Sequence, residues 1–569
     1  MKKRIKNRQI GKIRVVDFFC GAGGFSEGFR QQGFDVIKGI DFWQPAIDSH
    51  NLNHNLSDFT KNVLDFWSED SVDVEEINKI PNSEFIIGSP SCISFSMSNK
   101  SGKGDKTLGI KLIESYLRVV AVKKHQKKSI LLNWYMENVP KSKNHIKTEY
   151  TFEDLNLRKW ARSIGKNPKD VALRTNGGIF NAGDYGAPQE RKRFIAGEWI
   201  KTGEFLAPQK THEIHIKSCE IRQQMPAPNS KEYKNWADPN YSNLKLKTHE
   251  LTDHFYDTGL YEIEWEKAEY LKVNHPFMGK MSFPENENRT CRTITATKSA
   301  ITREAIIYKS EYDKKGSGEY RLPTIREIAS LMGFPYVYQF VGSEGVKWRQ
   351  VGNSVCPHMS SALAKALRKK MNFSEIKLQD VDFSSLMKNY KNINNLNTFR
   401  EGEFDNPKKR KINSRFRRHP LKMGNMTVDL MNYHPDNKEK IAGWYLSTFF
   451  GTGTGHRIKV LEINDIHKIE KILEKNFPYL SSFREEIQKK IVTKERLQKM
   501  YEEDLLLREK NNPLKIIKRL ARIITSYDFH EKNIEIDGIF PKDNIPMAQL
   551  MAMYGLLKLI QYNSLTKKT

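Results

Sequence analysis

The chain has 569 residues, 38% of them hydrophobic, and 94 lysines and arginines against 68 acids give a formal net charge of +26. Such a length is expected to divide into two or three domains, and no stretch approaches the roughly 20 apolar residues of a membrane span. Five scattered cysteines (Cys20, Cys92, Cys219, Cys291, Cys356) contain no CxxC pair, which argues against a zinc site or a disulfide framework and for a reduced, cytoplasmic protein. The basic start MKKRIKNRQIGKIRVVDFF is followed by an apolar run only a strand long, too short for a signal peptide. So basic a surface favours a polyanion, and nucleic acid is the commonest one.

In chain order, IRVVDFF (Ile13–Phe19) is a predicted buried strand, and DFFCGAGGFSEGF carries it through a glycine-rich turn into a helix predicted over Ser26–Gln32. Gly21, Gly23 and Gly24 allow close backbone approach to a ligand, and the helix N-terminus offers free N–H groups. A tight turn without a ligand is the plainer alternative. DVIKGID (Asp35–Asp41) is a second strand ending in Asp41, an acid placed to take the ribose hydroxyls of a nucleotide-like cofactor. Trp43 just beyond it is set either to lie against an adenine or simply to pack. EFIIGSP (Glu84–Pro90) and ILLNWYMENVP (Ile130–Pro140) repeat the strand-then-loop pattern. Such alternation predicts an α/β fold with a mainly parallel sheet, helices on both faces, and ligands at the carboxyl ends of strands.

Those ends carry reactive side chains. Cys92 lies just past a buried strand, where a loop cysteine is a nucleophile candidate, and Glu137 ends the next apolar strand as a candidate acid. In NAGDYGAPQERKRF, Arg191 and Arg193 alternate and would share a face if extended, suiting a phosphate or a base edge. From 201 to 310 the periodicity weakens, as in an inserted irregular domain. Residues 321–371 return to helices, in LPTIREIASLMGF and SSALAKALRKKM. Residues 372–415 read as a basic linker, and 416–569 as a further domain with helices over Glu485–Leu507 and Met547–Gln561.

Taken together, DFFCGAGGFSEGF, GSPSC followed by FS, ENV, NAGDYGAPQERKRF, RTITATKSA, RLPTIREIASLMGFP and QVGNSVCP resemble, in order and spacing, the bacterial DNA cytosine-5 methyltransferases of restriction–modification type, over about residues 13–368. The resemblance implies a Rossmann-like methyltransferase using S-adenosyl-L-methionine and no metal. Its catalytic domain would span 1–200 and 311–371, with a target-recognition domain at 201–310. The linker at 372–415 and a mostly α or α+β C-terminal domain at 416–569, expected to bind DNA, fall outside it. Phe19, Gly21, Ala22, Gly23 and Gly24 would line the cofactor turn, with Asp41 on the ribose and Phe42, Trp43 and Pro90 nearby. Asn62 stands where the family usually has an acid near the adenine, with Asp65 as the alternative. Asn353, Ser354 and Val355 would return to complete the pocket. Cys92, Glu137 and Arg193 would surround a cytosine flipped out of double-stranded DNA, with Arg191 in support.

The implied chemistry is addition of the Cys92 thiolate to carbon 6 while Glu137 hydrogen-bonds the ring, making carbon 5 nucleophilic. Ser91 and Ile93 replace the family's usual proline and glutamine, which puts the loop's contacts to the DNA backbone in doubt. The Ser- and Gly-rich loop Ser94–Gly104 is suited to closing over the substrate. Trp236, Tyr241, His249, His254 and Tyr256 are either base-edge readers or the insert's own small core. A monomer in the bacterial cytoplasm, at the nucleoid, is expected, with or without a cognate restriction endonuclease. A tRNA cytosine methyltransferase, a methylase fused to a nuclease, and an inactive DNA-binding relative are the rival readings.

Overall fold

The structure, a computed structural model, describes residues 13–67, 74–91, 106–230, 232–274, 279–311, 319–391, 417–423, 426–434, 442–450, 457–461, 463–488, 494–503, 512–528, 532–535 and 544–561. The chain divides into two compact units. One comprises Met1–Leu260, Trp265–Tyr312 and Glu319–Arg400, and the other Tyr261–Glu264, Asp313–Gly318 and Glu401–Thr569.

The first unit is organised on strands β1 (Arg14–Phe18), β2 (Asp35–Ile40), β3 (Phe85–Gly88), β4 (Asn133–Asn138), β5 (Gly177–Asn181) and β6 (Lys192–Trp199), in the order β2-β1-β3-β4-β6-β5. The first four run parallel, while β6 is antiparallel to β4 and β5 to β6. Strands covered on both faces need apolar side chains at successive positions. Accordingly Val15, Phe85 and Ile87 enter one core cluster, and Val16, Phe18 and Ile86 another. The expected mainly parallel α/β sheet is what the chain forms.

Among the helices of this unit are α1 (Gly24–Gln31), α2 (Gln44–His54), α3 (Lys106–His125), α4 (Ile325–Met332), α5 (Glu344–Asn353) and α6 (Pro357–Lys370). The predicted helix in LPTIREIASLMGF is α4. Thr324 Oγ1 accepts from the Glu327 N–H, and the Glu327 carboxylate accepts from the Thr324 N–H, a reciprocal cap. Helices α1 and α6 cross closely at Gly28, where a Cβ would meet Ser361 N at 2.4 Å and Ser360 Cβ at 2.5 Å. That contact brings residues some 330 positions apart to one place, beside the turn that precedes α1.

The stretch from 201 to 310 holds little regular structure, such as Asn235–Ala237 paired antiparallel with Lys245–Lys247. Of its five singled-out side chains, three are structural. Tyr241 is buried and donates to Gly333 O at 2.7 Å, His254 is buried between Thr324 Oγ1 and Pro226 O, and Tyr256 Oη accepts from Ile325 N. Trp236 is half-buried, its Nε1 donating to Thr248 Oγ1, and His249 is exposed.

The second unit is α+β. Strands β7 (Arg418–Met423), β8 (Met426–Tyr433), β9 (Ala442–Phe450) and β10 (Arg457–Val460) form an antiparallel sheet in sequence order. Leu421, Val428, Leu430 and Leu446 pack with helices α7 (Ile463–Asn476), α8 (Leu480–Gln488), α9 (Lys494–Glu502), α10 (Pro513–Thr525) and α11 (Met547–Gln561). The helix predicted over Met547–Gln561 is α11. Within the span Glu485–Leu507 the described residues form the end of α8 and all of α9, and 489–493 and 504–507 lie outside them. Among the described residues no helix is long and apolar enough to cross a membrane.

Candidate active site

The turn between β1 and α1 is wound tightly: Phe19, Gly21 and Gly23 have φ of +53°, +54° and +98°. At Gly21 a Cβ would meet nothing within 4 Å, so the backbone there borders open space. At Gly24 it would strike Val355 O at 2.2 Å and come within 3.1 Å of Ser354 Cβ. The structure thus packs Ser354 and Val355 directly on the glycine turn, whereas the Asn353 side chain is exposed. Tyr338 donates its hydroxyl to Ala22 O at 2.6 Å, fastening the turn from below. Nothing in FPYVYQF signals this role, because the partner lies 316 residues away.

Asp41, at the end of β2, is buried. Its Oδ2 accepts from Gly21 N at 3.0 Å and its Oδ1 from Trp43 N at 2.9 Å. Burial raises its pKa while these backbone donors oppose the rise. A carboxylate offers about four lone-pair sites, and the backbone donors at Trp43, Gly21 and Phe42 leave capacity for a ligand hydroxyl. Phe42 is 68% exposed beside it. Trp43 instead faces the Arg349 guanidinium, 5.6 Å from its ring centroid, so Phe42 presents the open aromatic face. Lys61 N donates to Asp41 O at 2.9 Å and thereby brings Asn62 to the same rim. Asn62 caps a 3-10 turn by accepting from Leu64 N, and Asp65 pairs with Lys61 at 3.5 Å. An open glycine turn, an acid with spare acceptors and an exposed ring together suit a nucleoside-bearing cofactor.

Under the turn lies a buried polar chain that the sequence did not advertise. Ser26 Oγ donates to Asp17 Oδ2 at 2.7 Å and lies 3.0 Å from His50 Nε2. Burial pushes the Asp17 carboxyl up to about 8 and holds His50 well below its usual range, so both are uncharged at neutral pH.

At the same sheet edge, β3 is followed by Ser89, whose N–H donates to Phe18 O and whose hydroxyl donates to Phe19 O, both at 3.1 Å. Pro90 is buried, and its carbonyl accepts from Asn138 Nδ2 at 3.1 Å. Ser89 and Pro90 are therefore tied, respectively, to the start of the glycine turn and to the end of β4. Cys92 itself, Ile93 and the loop Ser94–Gly104 lie outside the described residues. Glu137, 7% exposed, meets Arg193 across the antiparallel β4–β6 pair, with Arg193 Nε 2.7 Å from Glu137 Oε1.

Arg191 and Arg193, two residues apart, take different partners. Strand β6 begins only at Lys192. Arg191, 2% exposed, turns inward and donates from Nη1 to Ile294 O at 3.1 Å and from Nη2 to Gly352 O and Ser354 O at 2.9 Å each. It joins the start of β6 to the segment that covers the glycine turn. The RTITATKSA block closes on α5, where Trp348 Nε1 donates to Thr295 O at 2.9 Å and a Cβ on Gly352 would meet that oxygen at 2.4 Å.

The parallel sheet, the open glycine turn and the adjoining carboxylate–guanidinium pair define an α/β group-transfer enzyme with a nucleotide-type pocket. Residues 13–369 match the family described as C-5 cytosine-specific DNA methylase, and the chain belongs to that family. It is a DNA cytosine-5 methyltransferase. Among its relatives are the type II methyltransferase M1.HphI of Haemophilus parahaemolyticus, 27% identical over 64% of this chain and 88% of the relative, and the putative type II methyltransferase M.MJ0563P of Methanocaldococcus jannaschii, 26% identical over 63% and 100%. The Dnmt2 methyltransferase of S. pombe is a solved structure of low similarity, 17% identical with a TM-score of 0.42 over 64% of this chain and all of that one.

Proposed function

We propose that this enzyme transfers a methyl group from S-adenosyl-L-methionine to carbon 5 of a cytosine flipped out of duplex DNA, through a transient bond to Cys92. The observation that carries the reading is the buried Glu137–Arg193 pair at the end of β4, on the same carboxyl edge of the parallel sheet as the open glycine turn that follows β1. Phe19, Gly21, Ala22, Gly23, Gly24, Asp41, Phe42, Asn62, Pro90 and residues 353–355 would hold the cofactor, Asp41 through the ribose hydroxyls and Phe42 against the adenine. Bound there, the cofactor supplies an electrophilic methyl group.

The chain's own residues do the rest. The Cys92 thiolate adds to carbon 6 of the flipped cytosine while a protonated Glu137 donates its proton to ring nitrogen 3 and takes it back when the adduct collapses, so that electron density gathers at carbon 5. Arg193 fixes the Glu137 carboxyl, and Arg191 fixes the wall behind it. After methyl transfer the carbon-5 proton leaves to water and the Cys92–carbon 6 bond breaks, restoring thiolate and aromatic ring. Flipping costs a few kcal/mol, which phosphate and pocket contacts offset.

The relatives' designation as type II methyltransferases supports sequence-specific modification within a restriction–modification system, with a cognate endonuclease as partner and a cytoplasmic, nucleoid location. Residues 201–310 are the proposed target-recognition region and 416–569 an added DNA-binding domain. The decisive experiment uses a duplex carrying 5-fluorocytosine at the methylated position. The wild type should form a covalent adduct that resists denaturation, and Cys92→Ser should form none. An equal adduct yield from both would remove Cys92 from the mechanism.

A further inference from the structure

The turn that delivers Arg191 and Arg193 is held from outside by a histidine. His215 Nδ1 lies 2.8 Å from Glu190 Oε1, and its Nε2 lies 2.9 Å from Asp184 Oδ1. Asp184 sits in the 3-10 turn Ala182–Tyr185 that follows β5, and Glu190 immediately precedes Arg191. Gly183 leaves room for the ring, since a Cβ there would be 2.9 Å from His215 Nδ1. The strand of chain carrying His215 is stitched to the same turn by its backbone, Thr211 N and His212 N both donating to Asp184 O at 3.0 Å. Glu190 in turn accepts from Asn181 Nδ2 at 2.5 Å and Thr290 Oγ1 at 3.1 Å, so it joins β5, β6 and the block before RTITATKSA.

Ionised carboxylates only accept hydrogen bonds, and a neutral imidazole has only one N–H. An imidazole with a carboxylate at each nitrogen is fully satisfied only as the imidazolium. We propose that His215 is a positioning residue whose protonated ring bridges Asp184 and Glu190 and so holds the turn that keeps Arg193 on Glu137. The inference rests on the proposed role of the Glu137–Arg193 pair. The other ionisable groups facing the site are Lys210, 3.5 Å from Asp184 and 3.0 Å from Glu213, and His212, whose charged form is disfavoured by burial and then by the neighbouring His215 and Lys365.

The hydrogen bond to Asp184 raises the His215 pKa above its usual value, against partial burial and with further help from Glu190. A raised histidine pKa means that the brace is complete below about pH 6.5 and is lost as pH rises through the folded-state value. Exposed ion pairs contribute little to global stability, so the signature is expected in the rate and not in the melting temperature.

The test is kcat/KM for DNA methylation by the full chain from about pH 6 to 9, in the wild type, His215→Gln and Asp184→Asn. The wild type should show an alkaline decline. Asp184→Asn should move that decline to lower pH. His215→Gln should lack it and run several-fold slower at neutral pH. An alkaline limb in the same place in all three proteins overturns the brace. The 5-fluorocytosine trap separates the two ideas, because His215→Gln retains Cys92 and Glu137 and should still form the adduct. A wild type that forms none overturns the underlying reading.

Discussion

Replacing Arg191 by lysine separates the two arginines of the QERKR block. The guanidinium of Arg191 spans three carbonyls, at 3.1, 2.9 and 2.9 Å, on residues 294, 352 and 354. A lysine ammonium is a single point at the end of a flexible stem and cannot reach both segments with that geometry. One or two buried carbonyls then lose their donor, at about 1–3 kcal/mol each, so a loss of roughly 2–4 kcal/mol is expected. For a unit of this size that corresponds to a fall of about 2–5 °C in melting temperature. Because Gly352 and Ser354 are the carbonyls released, the affinity for S-adenosyl-L-methionine should fall as well. Arg193→Lys is the control: its guanidinium pairs with one carboxylate, Glu137, which a lysine ammonium can still neutralise, so it should melt closer to the wild type than Arg191→Lys does while losing turnover. Scanning fluorimetry and calorimetric titration with the cofactor read both quantities. An Arg191→Lys protein that melts with the wild type and binds cofactor equally well would refute the bracing role.

Two other outcomes follow from the pocket. Phe42→Ala removes a ring that is 68% exposed, so it should leave the melting temperature unchanged while raising the KM for the methyl donor about ten-fold, as expected for losing roughly 1–2 kcal/mol of apolar contact. Asp17→Asn addresses the buried acid pushed up to about 8. An acid with a raised folded-state pKa contributes stability that is present below about pH 4 and lost as pH rises toward 8. The asparagine variant should therefore gain on the wild type between pH 5 and 8 in paired melts (about 1.4 kcal/mol per unit of pH at most), and parallel melting curves across that range would contradict the assignment of a protonated Asp17.

Much of the site was legible because its chemistry is local. The glycine spacing, the acid ending β2 and the cysteine and glutamate after apolar strands are properties of short segments. A parallel strand covered on both faces announces itself as an unbroken apolar run, as in RVVDF and FIIG. What alternation could not give was the partners: Arg191 bonds carbonyls of residues 294, 352 and 354, and Arg193 pairs with Glu137.

By itself, then, the sequence determined the α/β character of the first 200 residues, the glycine turn and the side chains that could react. Tertiary structure alone decided which of them meet. Ser354 and Val355 reach Gly24 because α1 and α6 cross at a residue without a Cβ. Tyr241 and His254 became core because backbone carbonyls at Gly333 and Pro226 needed donors. His215 found two carboxylates on a turn some thirty residues earlier in the chain. The physical reason is the same in each case: periodicity fixes which way a side chain points relative to its own element. The hydrogen-bonding partner it finds there is supplied by distant chain, through packing that no local pattern encodes.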